Sequence, residues 1–233
     1  MRNAKQFFIE FRRSSGMFAT NLSSQIIDIP GERLDEAVEV LARAFQTYPL
    51  MRYWFADQSA AYYRALQKLF SFSCRVRLDL GYPLLGSVDA DGRLLGVAGL
   101  AAPERKSWPT GLTETYERFT AFIGPEAQQR VAAYMQIVDS HPLPQPHYYL
   151  SFIGVDPDGR GQGHARRLLN AVHAIAAAHP TTVGVGLHTE HPANVQLYGH
   201  FDYRVIEQGK LGHVHTWGMF RPNTGSRMQA GQE

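Results

Sequence analysis

The sequence predicts one α/β domain, and three observations carry that expectation. An apolar, partly β-branched run at 150–155 leads into turn residues, a glycine-bearing loop and a helix with Ala165, Leu168, Leu169, Val172 and Ile175 on one side. Two apolar runs, 84–88 and 94–100, flank Asp91-Gly92, a dipeptide that favours a tight hairpin turn. Strand-like and helix-like patterns alternate over 233 residues without an internal repeat, a length that suits one substantial core or at most two small domains.

Residues 25–29 form a short strand stopped by Pro30-Gly31. Residues 32–46 form a helix with Leu34, Ala37, Val38, Leu41 and Phe45 on its apolar face. A second helix at 58–78 turns Tyr62, Leu66, Leu69 and Phe70 inward. It carries Cys74, the one cysteine, expected as a small buried side chain because no base stands near it in sequence. The hairpin occupies 83–100, a loop runs from Pro103 to Thr110, and 112–139 holds a helical pattern. Pro142, Pro144 and Pro146 cannot continue a helix and force an extended entry into the central strand. The helix at 161–178 is followed by strands at 183–188, 203–208 and 212–220. The ends are polar: residues 1–16 read as a loosely ordered arm with Met17 as an alternative start, 17–221 as the domain, and 222–233 as a frayed tail.

Hydrophobic residues at 44% and charged residues at 19% describe an ordinary globule. A net charge of +2 gives no mandate for nucleic acid, and a single cysteine excludes an internal disulfide. No apolar run reaches the roughly 18 residues of a membrane span. Residues 1–16 lack the apolar core and cleavage site of a signal peptide. The expected setting is cytoplasmic, with no membrane or nucleic-acid partner, as a monomer or homodimer.

The loop carries the chemistry. Residues 156–165 read Asp-Pro-Asp-Gly-Arg160-Gly161-Gln162-Gly163-His164-Ala165. The first N–H groups of a helix have no internal acceptor and the helix dipole is positive there, so a strand–loop–helix of this kind binds anions. Glycines let a phosphate approach the main chain, although many such loops carry them for packing alone. No G-x-x-x-x-G-K-[ST] occurs, and the dinucleotide fingerprint fails because Arg166 stands where its third glycine belongs.

What fits is Arg160-x-x-Gly163-x-Ala165 after a Val-Asp-Pro turn, which resembles the acetyl-CoA pyrophosphate loop of the GNAT N-acetyltransferase superfamily, [QR]-x-x-G-x-[GA]. The resemblance covers residues 147–207. Asn194-Val195-Gln196-Leu197-Tyr198 sits about where the family places its N-x-x-x-[LF]-Y helix. The family's closing Y-x-x-x-G-F is replaced here by Asp202 and Tyr203, and Asp tolerates the left-handed conformation better than most residues. The resemblance implies a mixed, mostly antiparallel twisted sheet flanked by helices, with its central strands splayed to admit the cofactor.

It also implies roles. Acetyl transfer from a thioester to an amine needs a neutral amine, a polarised carbonyl and a protonated leaving group. Backbone N–H groups of Gln162 to Ala165, from Gly161 onward through Gly163 and His164, would hold the pyrophosphate of acetyl-CoA, with Arg160 adding charge. The edge of Phe152, Ile153, Gly154 and Val155 would pair with the pantetheine like an added strand, Gly154 being a candidate bulge. Asn194 would contact the pantetheine arm and Tyr198 would protonate the thiolate, unless Tyr198 is a core aromatic. Glu190 is the candidate base, with Glu114 a second; either could instead favour a helix N-terminus, and a water chain could replace both.

Ten histidines raise a metal reading through His188-x-x-His191 and His213-x-His215, but H-E-x-x-H and paired C-x-x-C are absent, so no metal is expected. His188 and His215 stand as candidate acceptor-pocket residues. The aromatic segment 45–55 stands as a substrate wall or as plain core. The layout resembles the small-molecule branch of the superfamily that includes puromycin acetyltransferase, which implies a small-molecule amine as acceptor. An inactive acyl-CoA-binding sensor or scaffold of the same fold, and a nucleotide-binding α/β enzyme, are the alternatives.

Overall fold

The computed structural model describes residues 25–56, 61–104, 106–140 and 142–223; the expectations for residues 1–16, Met17 and the last ten residues lie outside them. Alternating and apolar runs form the strands β1 (Gln25–Asp28), β2 (Leu84–Val88), β3 (Leu94–Ala101), β4 (His147–Val155), β5 (Gly184–Thr189), β6 (Arg204–Leu211) and β7 (Val214–Pro222). They make one sheet in the order β1-β2-β3-β4-β5-β7-β6. Every pair of neighbours is antiparallel except β4 and β5. The helices are α1 (Leu34–Phe45), α2 (Pro49–Phe55), α3 (Tyr62–Leu80), α4 (Thr110–Ser140), α5 (His164–Ala178) and α6 (Pro192–Gly199).

Each face of the sheet has its own core. Leu41, Leu66, Phe70 and Cys74 from α1 and α3 pack with Val97 and Phe152 on one side, so Cys74 is buried as expected. Leu168, Leu169, Val172 and Ala176 of α5 pack with Ala98, Leu150 and Val185 on the other. The apolar stripes read from the sequence are the stripes these helices bury, which places α1 and α5 on opposite faces of β4.

The sheet opens at its middle. β4 and β5 pair only at His147 with Gly184, Tyr148 with Val185 and Tyr149 with Gly186. Beyond these three steps the strands part, and β4 from Leu150 to Val155 keeps a free edge opposite β3. The bulge that accompanies the splay is at Ser151, not at Gly154. Gly99 faces Phe152 and Leu100 faces Leu150, which leaves Ser151 as the extra residue, whereas Gly154 sits in register with Val97.

Local physics explains the remaining differences from expectation. Residues 49–55, inside the aromatic segment, form α2, with Pro49 in its first turn where a missing N–H costs nothing. The 112–139 pattern is two helical stretches meeting at Gly124 (φ +75°, ψ 171°), followed by Pro125, a pair that breaks the hydrogen-bond ladder. Ordered packing also reaches past 221. β7 runs through Pro222, and the buried Asn223 side chain donates to Ala176 O at 3.0 Å and to Thr182 O at 2.8 Å. Asp202 adopts φ +67°, the left-handed position that sequence reading assigned to it after α6.

Candidate active site

Where β4 and β5 part, a cleft of about 1140 Å³ opens between the α3/α4 side and α6. Phe152 to Val155 line it along the free β4 edge, Arg160 and Ala165 at one end, Asn194 and Tyr198 from α6, and Glu190 just past β5. Gly161, Gln162 and Gly163, which are exposed, and the buried His164 are not part of the cleft wall.

The loop is braced by ion pairs. Asp156 caps the turn by accepting the Asp158 N–H at 2.9 Å, and its other oxygen lies 3.2 Å from Arg43 of α1. Asp158 pairs with Arg93 at 2.9 Å and Arg43 at 3.3 Å, which hold its carboxyl below the usual range. Gly163 caps α5 at φ +81°, a conformation that favours glycine, and leaves the first-turn N–H groups without helical acceptors. The Gln162 N–H instead turns back to Gly159 O at 3.4 Å, and the Gln162 side chain donates to Asp158 O at 2.9 Å. His164 contributes its backbone to the helix start, but its ring is buried below the loop, 2.9 Å from the Ser87 hydroxyl.

Glu190 lies at the centre of a polar cluster. One carboxylate oxygen accepts the Tyr134 hydroxyl of α4 at 2.7 Å and the Thr216 hydroxyl of β7 at 2.8 Å, and the Glu190 N–H donates to the Tyr48 hydroxyl at 2.9 Å. Tyr48 also bonds Thr189 Oγ1 at 3.0 Å, which accepts from Asn194 Nδ2 at 3.2 Å. Burial raises the Glu190 pKa above the ordinary carboxylate value, and the Tyr134 and Thr216 hydrogen bonds offset part of that rise. Tyr198 is buried, yet its hydroxyl makes no hydrogen bond among the described residues; burial and the Glu190 charge raise its pKa. Deeper along β4, the Tyr149 hydroxyl is 3.0 Å from His188 Nδ1, and His188 Nε2 contacts Glu207 Oε1. Burial favours the neutral imidazole, and these partners fit a tautomer that donates from Nε2 to Glu207 and accepts from Tyr149.

A model of the acetyltransferase (GNAT) family matches residues 42–203, well over half the sequence. The chain belongs to this family. Solved structures share the fold. One described as histone acetyltransferase HPA2 and related acetyltransferase, from Corynebacterium glutamicum, superposes with TM-score 0.66 at 20% identity, over 90% of this chain and 99% of that one. A GNAT phosphinothricin acetyltransferase from Sinorhizobium meliloti, solved with acetyl-CoA, gives 0.54 at 15% identity over 90% and 95%. A putative acetyltransferase from Salmonella typhimurium, also with acetyl-CoA, gives 0.51 at 16% over 88% and 97%.

In this GNAT chain, the polar lining of the cleft goes beyond what sequence reading named. His188 is on the wall, whereas His215 stacks on Trp217 outside it, and Glu114 is exposed beside Arg118. The segment 45–55 supplies both wall and core, since Tyr48 and Trp54 line the cleft and Trp54 packs on Tyr134 at 5.4 Å. Arg77, Tyr134 and Tyr149 were not singled out. Nothing in the helical pattern distinguished Tyr134. Among the described residues, no group of three or more His, Cys, Asp or Glu is placed to hold a metal ion, and no helix is long and apolar enough to cross a membrane.

Proposed function

We propose that the chain is an acetyl-CoA-dependent N-acetyltransferase that moves an acetyl group to the amine of a small molecule by direct transfer in a ternary complex. The observation that carries this reading is one continuous cleft that runs from the α5 N-terminus to a buried carboxylate, Glu190, past the open hydroxyl of Tyr198.

The residues present fit the cosubstrate. The free N–H groups at the start of α5 suit its pyrophosphate, and the unpaired β4 edge at Ile153 to Val155 suits its pantetheine amides. When bound, acetyl-CoA supplies an acetyl group activated as a thioester. Glu190 removes the amine proton as the new N–C bond forms; its raised pKa makes it a stronger base than an exposed carboxylate. Tyr198 donates its hydroxyl to the sulfur as the C–S bond breaks, and Asn194 positions the pantetheine arm. The acetyltransferase unit starts at residue 17 and extends past 221 to Asn223, acting in the cytoplasm as a monomer or homodimer without a metal.

Titration with acetyl-CoA and, separately, ATP, followed by turnover on a panel of primary amines, tests the reading. Acetyl-CoA selectivity with amine acetylation is the expected result. Binding without turnover on any amine would favour an inactive sensor, and ATP selectivity a nucleotide enzyme.

The loop has its own test. Gly163→Val is expected to weaken acetyl-CoA binding about tenfold or more by crowding the anion's approach. A β-branched residue at φ +81° also strains the backbone by about 1–2 kcal/mol. Gly81→Val, at φ +63° at the end of α3, carries comparable strain away from the loop. Calorimetry should show the affinity loss in the first variant only; equal affinities would remove the loop from the cosubstrate site.

A further inference from the structure

Arg77 of α3 stands in the wall of the cleft with no ion-pair partner among the described residues. Its Nη1 donates to the Ser73 carbonyl one turn back at 2.9 Å, and its guanidinium lies 5.0 Å from the centroid of the Phe152 ring. Its Nε is closed off from water and has no hydrogen-bond acceptor, and among the described residues no carboxylate stands within ion-pair distance. Burial pulls the guanidinium down to about 10, so it stays charged at neutral pH. The neighbouring groups offer no counter-charge: burial pushes the Cys74 thiol up to about 12 and raises the Tyr149 hydroxyl. Asp139 also lines the cleft, but it is exposed and outside ion-pair distance.

A part-buried arginine with its Nε sealed off and no ion-pair partner costs folding free energy that one carbonyl hydrogen bond and one ring contact offset only in part. Such a group is retained where a ligand supplies the missing charge, and the planar guanidinium matches a carboxylate better than any other side chain does. Arg77, Tyr149 and Glu190 all line this one cleft. We infer that Arg77 anchors a carboxylate on the acceptor, so that the substrate is an amine bearing a carboxylate, its nitrogen toward Glu190 and its anion toward α3. This rests on the transferase reading above and narrows its acceptor class. Arg77 acts in binding and takes no part in bond making.

The test compares binding, which needs no turnover. N-acetyl-phenylalanine, N-acetyl-leucine and N-acetyl-glutamate are titrated against protein saturated with coenzyme A, each beside its α-carboxamide. At least one acid should bind about tenfold more tightly than its amide, the scale of one charge-assisted pair. Arg77→Met should bring that ratio to within about twofold while coenzyme A affinity holds within about twofold. Arg77→Met should melt no lower than the parent, since it removes a charge that has no ion-pair partner and a sealed-off Nε, and keeps the packing length. A structural arginine would instead lower the melting point and leave the ratio alone. If the variant both melts lower and loses the ratio, Arg77→Lys decides: a restored acid preference supports the anchor, and its absence in the folded variant overturns it.

The anchor is equally overturned if acids bind no better than amides across the panel. It is overturned, too, if Arg77→Met loses coenzyme A affinity about tenfold, which would assign the arginine to the cosubstrate phosphates. Failure here is distinct from failure of the transferase reading. Equal acetylation of phenylalanine and phenylalaninamide refutes the anchor and keeps the transferase. Acid-selective binding without turnover on any amine keeps the anchor and refutes the transferase.

Discussion

Replacing Glu190 by Gln is expected to lower kcat/KM for the amine by about 10²–10⁴, the range for loss of a positioned general base. Acetyl-CoA affinity should hold, because Glu190 stands on the acceptor side of the cleft. The substitution is close to isosteric, and a Gln carbonyl can still accept the Tyr134 and Thr216 hydroxyls now bound to Oε1. The fold should therefore survive, and its pH dependence gives a second check. Burial raises the Glu190 pKa in the folded state, so the native protein holds this proton more tightly than the unfolded chain. Parent stability then falls as pH rises from the unfolded pKa through the folded one. Gln carries no such penalty, so the variant should match or exceed the parent in melting temperature at neutral pH and lose that advantage in acid. In the parent, kcat/KM should climb with pH through an inflection above the ordinary carboxylate range, and the variant should lack that limb. An unchanged pH–rate profile in the variant would return proton removal to water.

What sequence reading reached and missed in this chain follows from how far each interaction travels along it. The α5 N-terminus, the hairpin turn and the left-handed Asp202 are local, written in a few consecutive residues, and they stand where the pattern placed them. Glu190 and Tyr198 could be named because both lie close to α6. Their surroundings could not be read, since Tyr134 reaches Glu190 across 56 residues and Tyr48 across 142. Arg77 falls on the helical pattern of α3 as one more charged residue, and only packing shows that its Nε has been drawn out of water. The bulge was misassigned to Gly154 because glycine is the usual signal for one, while the register shifts at a serine that carries no such signal.

Removing only the hydroxyl of Tyr198 tests the other end of the proton path. Tyr198→Phe keeps the ring 5.6 Å from Tyr203, and the hydroxyl it removes makes no hydrogen bond among the described residues, so the melting temperature should not fall. Acetyl-CoA affinity should stay within about twofold while turnover drops by about 10². The lower end of the general-acid range is expected for a physical reason. Burial and the Glu190 charge hold the phenol above its ordinary pKa of about 10, whereas a free thiol titrates near 8.5. Complete transfer to the sulfur is thus uphill, and Tyr198 stabilises the departing thiolate mainly as a strong hydrogen-bond donor while the sulfur's charge develops. A core aromatic predicts the opposite pattern: near-normal turnover for Phe, and a loss of about 3–5 kcal/mol in stability for Ala. Single-turnover measurement is the deciding readout, because product release can hide a chemical step in kcat. A single-turnover rate for Tyr198→Phe within about threefold of the parent would leave Tyr198 as packing and assign the thiolate proton to solvent.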